Sequence, residues 1–187
     1  MPINLGWDDL LIQRFCKSDV RTWLGFWSGT IRGTVAPLFM SQFGDWFLRR
    51  SDGATDELSI VDGAYTTQAS TPEEFTGLIN SPAWQEEHLH SLEVLQLHVN
   101  GMIPLPGQCY AFATPPVGSH RMNLDRVILM EIGVWQNICA RHCAGKMAPA
   151  EAAPAPAANP YRATIRMDGA GNSTAAGTSS RVRTPGP

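Results

Sequence analysis

ELSIVDGAYTTQASTPEEF, residues 57–75, is the stretch on which the fold class turns. Asp62-Gly63 is the pair that best tolerates the positive φ of a two-residue hairpin, so the residues before it read as one strand and those after it as the returning strand. The hydrophobic period then changes at Ser70-Thr71-Pro72-Glu73-Glu74. Hydroxyl caps, a proline at the first helical position and an acidic first turn all mark a helix start there. A hairpin running directly into a capped helix belongs to an α+β chain, because a parallel nucleotide-binding sheet needs strand and helix alternating from the outset.

Upstream, APLFMSQFGDWFLRR (residues 36–50) has strand chemistry, with Gly44-Asp45 marking a bend or bulge, and Ser51-Asp52-Gly53 is the next turn. Earlier still, Trp7, Leu10, Leu11 and Phe15, then Trp23, Phe26 and Trp27, recur at helical spacing, with Asp19 placed to cap the second segment. Downstream, Asn80-Ser81-Pro82 repeats the start signal. The helix it opens carries Trp84, His88, Leu92, Leu95 and Val99 as one stripe and stops at Asn100-Gly101. Cys109–Phe112 and Arg126–Met130 read as strands, the first closed by Pro115-Pro116 and a Gly118-Ser119-His120 loop. A last helix turns Ile132, Trp135, Ile138 and Cys139 or His142 inward and stops near Gly145. The expected fold is α+β, a curved antiparallel meander with helices packed against it.

Composition divides the chain in two. Residues 1–147 hold 10 Lys and Arg against 15 Asp and Glu, whereas residues 148–187 hold 4 against 2 and are rich in Ala, Pro, Gly, Ser and Thr. One domain over 1–147 and a disordered tail over 148–187 is the expectation, since the second composition cannot offset its ordering entropy by burial. A formal net charge of −3 argues against direct nucleic-acid binding. No run approaches the 18 apolar residues of a membrane span. Four scattered cysteines and no charged-then-apolar leader lead to reduced thiols in a cytoplasmic protein as the expected state.

The search for chemistry finds little. Cys139 and Cys143 share a helix face, and with Cys109 and His142 they are the best metal or enzyme candidate, yet the paired spacing of a structural zinc site is missing. There is no nucleophile elbow, no calcium-loop spacing among Asp45, Asp52, Asp56, Glu57 and Asp62, and no glycine-rich phosphate cradle. No cofactor is expected. The concentration of aromatics from Trp23 to Phe47 reads mainly as core, with a partner-binding patch as the functional alternative.

Phe43-Gly44-Asp45-x-Phe47, Asp52-Gly53 and Val61-Asp62-Gly63, followed by Cys109–Phe112, Pro115-Pro116, Gly118 and Asn123–Val127, resemble the motif order of a known family. It is the C-terminal domain of type VI secretion immunity proteins, a domain of unknown function often found after a GAD-like domain. The resemblance spans residues 7–145 and implies a non-enzymatic binder of a cognate antibacterial effector, with no catalytic residues carried over. The contact surface expected is the acidic, aromatic meander: Phe43, Asp45, Trp46, Asp52, Asp56, Glu57 and Asp62. An acidic face would suit a basic nuclease toxin. A metalloprotein or enzyme using Cys109, Cys139, His142 and Cys143, or a regulatory scaffold, are the alternatives.

Overall fold

The computed structural model describes residues 5–113 and 123–146. The expected loop over 115–120 and tail over 148–187 lie outside them. The chain is α+β, with a five-stranded antiparallel meander in the order β1-β2-β3-β4-β5 and a separate two-stranded ladder β6-β7. The expected single sheet is therefore two. β1 is Leu11–Ile12, β2 Val35–Ser41, β3 Trp46–Arg50, β4 Thr55–Ser59, β5 Ala64–Ala69, β6 Gln108–Phe112 and β7 Val127–Glu131. The helices are α1 Trp7–Leu10, α2 Lys17–Gly25, α3 Pro72–Ile79, α4 Pro82–Leu89, α5 Ser91–Val99 and α6 Ile132–Lys146.

The run expected to be one bent strand is two, reversed at residues 42–45. Gly44 takes φ +100, and a Cβ there would lie 2.7 Å from Ile60 Cδ1, so only glycine fits. The Ser41 hydroxyl accepts from the amides of Phe43 (3.3 Å) and Asp45 (3.0 Å), which completes the turn. Alternation could not reveal this reversal because the strand ends flanking it are buried on both faces.

Successive side chains of β3 show how both faces are covered. Phe47 joins Phe39, Phe75 and Trp84 under α3 and α4. Trp46 faces the other way, toward Phe15 and Trp23 of the α2 side. There, Gln136 of α6 is fully buried and its Oε1 accepts from the indoles of Trp27 (2.8 Å) and Trp46 (3.2 Å). Its Nε2 donates to the Gly44 carbonyl at 2.7 Å, so a single amide ties α6 to α2 and to the β2–β3 turn.

The helix start at Thr71 forms as the sequence predicts. Its hydroxyl accepts from the Glu74 amide at 3.2 Å, and Glu74 reaches back to the Ser70 amide at 2.7 Å. The Asp62-Gly63 reversal also forms, but its loop spans residues 60–63, since Ile60 is drawn into the core and donates its amide to Asp45 at 2.9 Å. The long helix expected after Pro82 breaks at His90, which takes the left-handed φ of 54 and presents its ring to the edge of Phe43. The break re-aims the stripe: Trp84, Leu89, Val94 and Leu97 are buried, while Leu92 and Val99 face solvent. At the ends, Cys16 rather than the expected Asp19 holds the N-cap position of α2, with no side-chain cap hydrogen bond and Asp19 in the first turn, and α6 buries Ile132, Trp135, Cys139 and Cys143, leaves Ile138 exposed and runs past Gly145.

Candidate partner-binding surface

Five of the seven residues expected on the contact surface are interior. Phe43, Asp45, Trp46, Asp56 and Glu57 are buried, and only Asp52 and Asp62, both in turns, face solvent. The carboxylates are inside because each is partnered. Asp45 accepts from the Ile60 amide and from Ser41 Oγ (3.0 Å), serving the β2–β3 turn. Burial, reinforced by Glu57, pushes its carboxyl up to about 6 against the pull of His90 and those hydrogen bonds. Asp56 accepts from Tyr65 Oη (2.8 Å), Thr67 Oγ1 (2.7 Å) and Arg50 Nη1 (3.5 Å) across the β4–β5 register. Glu57 Oε2 lies 2.8 Å from His88 Nδ1 and accepts from Gln68 Nε2 at 2.7 Å. Burial lowers the His88 imidazole, but the hydrogen bond and charge of Glu57 outweigh it and the net shift is upward. The meander acids are cross-strand and helix-to-sheet fasteners, and the exposed patch expected there does not form.

The cysteines of the alternative reading sit on β6 and α6. Among the described residues no group of three or more His, Cys, Asp or Glu side chains could hold a metal ion. Cys139 and Cys143 do share the inner face of α6, but the Cys143 thiol points at the carbonyls of Ile60 (3.6 Å) and Val61 (3.7 Å). Burial, and then the Asp45 carboxyl, raise the Cys109 and Cys139 thiols far above their ordinary range, so neither supplies a thiolate at neutral pH.

What the fold does expose is an apolar ridge. Leu92 and Val99, seven residues apart on α5, return to the same helix face and are 63% and 60% exposed. The chain leaving α5 also exposes Ile103 at 55% and Leu105 at 67%. α1 packs beside α5, bringing exposed Trp7 and placing Asp9 Oδ1 3.8 Å from His98 Nδ1. The sequence that carries these residues has charges of one sign. No Lys or Arg occurs anywhere in residues 51–120, a span that holds Asp52, Asp56, Glu57, Asp62, Glu73, Glu74, Glu86, Glu87 and Glu93. Glu93 Oε2 is buried with no hydrogen-bond partner among the described residues. Among the described residues no helix is long and apolar enough to cross a membrane.

No protein-family model matches the chain, and no curated protein matches it.

Proposed function

We propose that the chain is a non-enzymatic binding protein of the immunity type, which neutralises a cognate secreted antibacterial effector in the cytoplasm by covering a cationic surface of it. The observation that carries the reading is the exposed Leu92, Val99, Ile103 and Leu105 ridge set in a 70-residue span without Lys or Arg. Exposed apolar anchors carried by an acidic stretch of chain have the composition of an interface: apolar side chains supply affinity, and acidic charge speeds encounter with a partner of opposite sign. The motif order from Phe43 to Val127 that resembles type VI immunity domains supports the same class. A nuclease fits as the effector because its substrate-binding cleft is cationic, and an acidic cover blocks it electrostatically as well as sterically.

Co-expression with the toxic product of each adjacent gene tests the reading. The wild-type chain restores growth against one of them, and the double substitution Leu92→Asp with Val99→Asp does not, although it accumulates to the same level. Toxicity unrelieved by the wild-type chain for every adjacent gene product would overturn it.

A further inference from the structure

Glu86 Oε2 accepts from Ser91 Oγ and from the Leu92 amide, both at 2.9 Å, so α4 and α5 are tied across His90 and form one unit. That unit buries Trp84, Leu89, Val94 and Leu97. Among the described residues a single side-chain hydrogen bond joins it to the meander, between His88 Nδ1 and Glu57 Oε2 at 2.8 Å. Phe47 and Glu57 are register partners on β3 and β4, so both face α4: Phe47 meets Trp84 at 5.4 Å, and Trp84 stacks on the His88 ring at 4.7 Å. The bond is sheltered, with 17% of the His88 side chain and 11% of the Glu57 side chain exposed. Two features of the seat work against it. Trp84 Nε1 is buried with no hydrogen-bond partner among the described residues, and His90 stands at φ 54, a backbone conformation that residues other than glycine rarely hold. Both are relieved when the pair lifts off.

The charges around the bond balance only when protons are taken up. Facing His88 are Glu57 from β4, Asp45 from the β2–β3 turn and Glu87 of α4 itself, whose Oε2 lies 4.0 Å from Nε2. Asp45 is buried and interacts with Glu57 and His90, and with the Cys109 and Cys139 thiols of β6 and α6. The only cations this set can form are the imidazolium ions of His88 and His90. With both rings neutral, the Asp45 and Glu57 carboxylates share a buried region with nothing to offset them.

We propose that the α4–α5 pair is a proton-operated clasp: with His88 charged it is held on the meander through Glu57, and with His88 neutral it opens locally, carrying Leu92 and Val99 with it, while β2, β3 and β4 stay folded. The upward displacement of the His88 imidazole and the Asp45 carboxyl agrees in direction, because groups raised in the closed form hold it at low pH and release it as pH rises. The elements left behind keep their own tie, since Gln136 joins α6 to Trp27, to Trp46 and to the Gly44 carbonyl.

The inference goes beyond the immunity reading, and its test uses no effector. Hydrogen exchange of the full chain from pH 5.5 to pH 8.5, corrected for intrinsic rates and read amide by amide, is the measurement. At pH 8.5 the helical amides of residues 85–97 are protected at least about tenfold less than those of β3, as opening short of global unfolding requires. From pH 8.5 to pH 5.5 their protection rises about fivefold. Glu57→Gln keeps an acceptor for His88 but removes the charge, and it abolishes the rise. Asp52→Asn, at an exposed turn, leaves the rise intact. Protection equal to that of β3 at every pH would mean that the pair comes off only when the whole domain unfolds. Protection independent of pH, or a rise that survives in Glu57→Gln, would mean that His88 does not operate the clasp; each of these results overturns the proposal. None of them bears on growth rescue by the wild-type chain, which tests the immunity reading separately.

Discussion

Replacing Gln136 by leucine removes the amide that joins three elements while leaving the volume of the side chain nearly unchanged. The Trp27 and Trp46 indoles lose their acceptor at 2.8 and 3.2 Å, and the Gly44 carbonyl loses its donor at 2.7 Å. Each buried polar group left unsatisfied costs about 1–3 kcal/mol, so the three together cost about 3–9 kcal/mol. Burial of a leucine in place of the amide returns about 2 kcal/mol. The expected net loss is about 4 kcal/mol, equivalent to roughly 12 °C in Tm at about 3 °C per kcal/mol for a domain of this size. Urea unfolding followed by tryptophan fluorescence reads it directly, since the two indoles concerned are among the reporters. Gln136→Glu sharpens the test: its carboxylate still accepts from both indoles but offers the Gly44 carbonyl no donor when ionised, so its deficit grows as pH rises. A loss below about 1 kcal/mol for Gln136→Leu would refute the assignment of this amide as the tie between α6 and the β2–β3 turn.

Other outcomes follow from the same geometry. Gly44→Ala places a Cβ at φ +100 and 2.7 Å from Ile60, so it destabilises by about 2 kcal/mol or more in the same unfolding assay. Thr71→Ala removes the hydroxyl that caps α3 and costs about 1 kcal/mol, with Thr71→Ser near wild type. By NMR titration the His88 imidazole has its midpoint above the ordinary 6.5, and Glu57→Gln brings it down. A histidine raised in the folded state lends stability that is complete below pH 6.5 and is lost as pH rises through the folded midpoint, so His88→Ala costs more at pH 5.5 than at pH 9. Asp45 has linkage of the same sign in a more acidic window: a carboxyl raised from 3.8 to about 6 withdraws stability as pH climbs through that window, and a Ser41→Ala variant, missing a donor to the carboxylate, steepens the decline.

The parts of the fold legible in the sequence are those set by local chemistry. The Thr71-Pro72 start and the Asp62-Gly63 reversal are encoded by the residues that adopt them, and both form where they were expected. Where tertiary contacts choose, the sequence is silent. His90 adopts φ 54 with its ring against Phe43, and the break there leaves Leu92 and Val99 facing solvent rather than core. Gln136 reads as surface by residue type, and only the indoles folded over it make it interior. The meander acids are interior for a related reason: acidity does not imply exposure, and the hairpin pairing sets Asp56 opposite Thr67, its hydrogen-bond partner. A signal for the ridge was present in the absence of Lys and Arg from residue 51 to residue 120, combined with a heptad separation of Leu92 and Val99.

The proposal at the centre of the account is that the α5 ridge binds a cationic protein partner, and titration calorimetry of the chain against the adjacent-gene product that growth rescue identifies tests this most directly. The account predicts that Leu92→Asp with Val99→Asp weakens binding at least a hundredfold while Asp52→Ala with Asp62→Ala, on the exposed meander turns, changes it less than threefold. Equal affinity of the ridge variant and the wild type, or loss confined to the meander-turn variant, would contradict it.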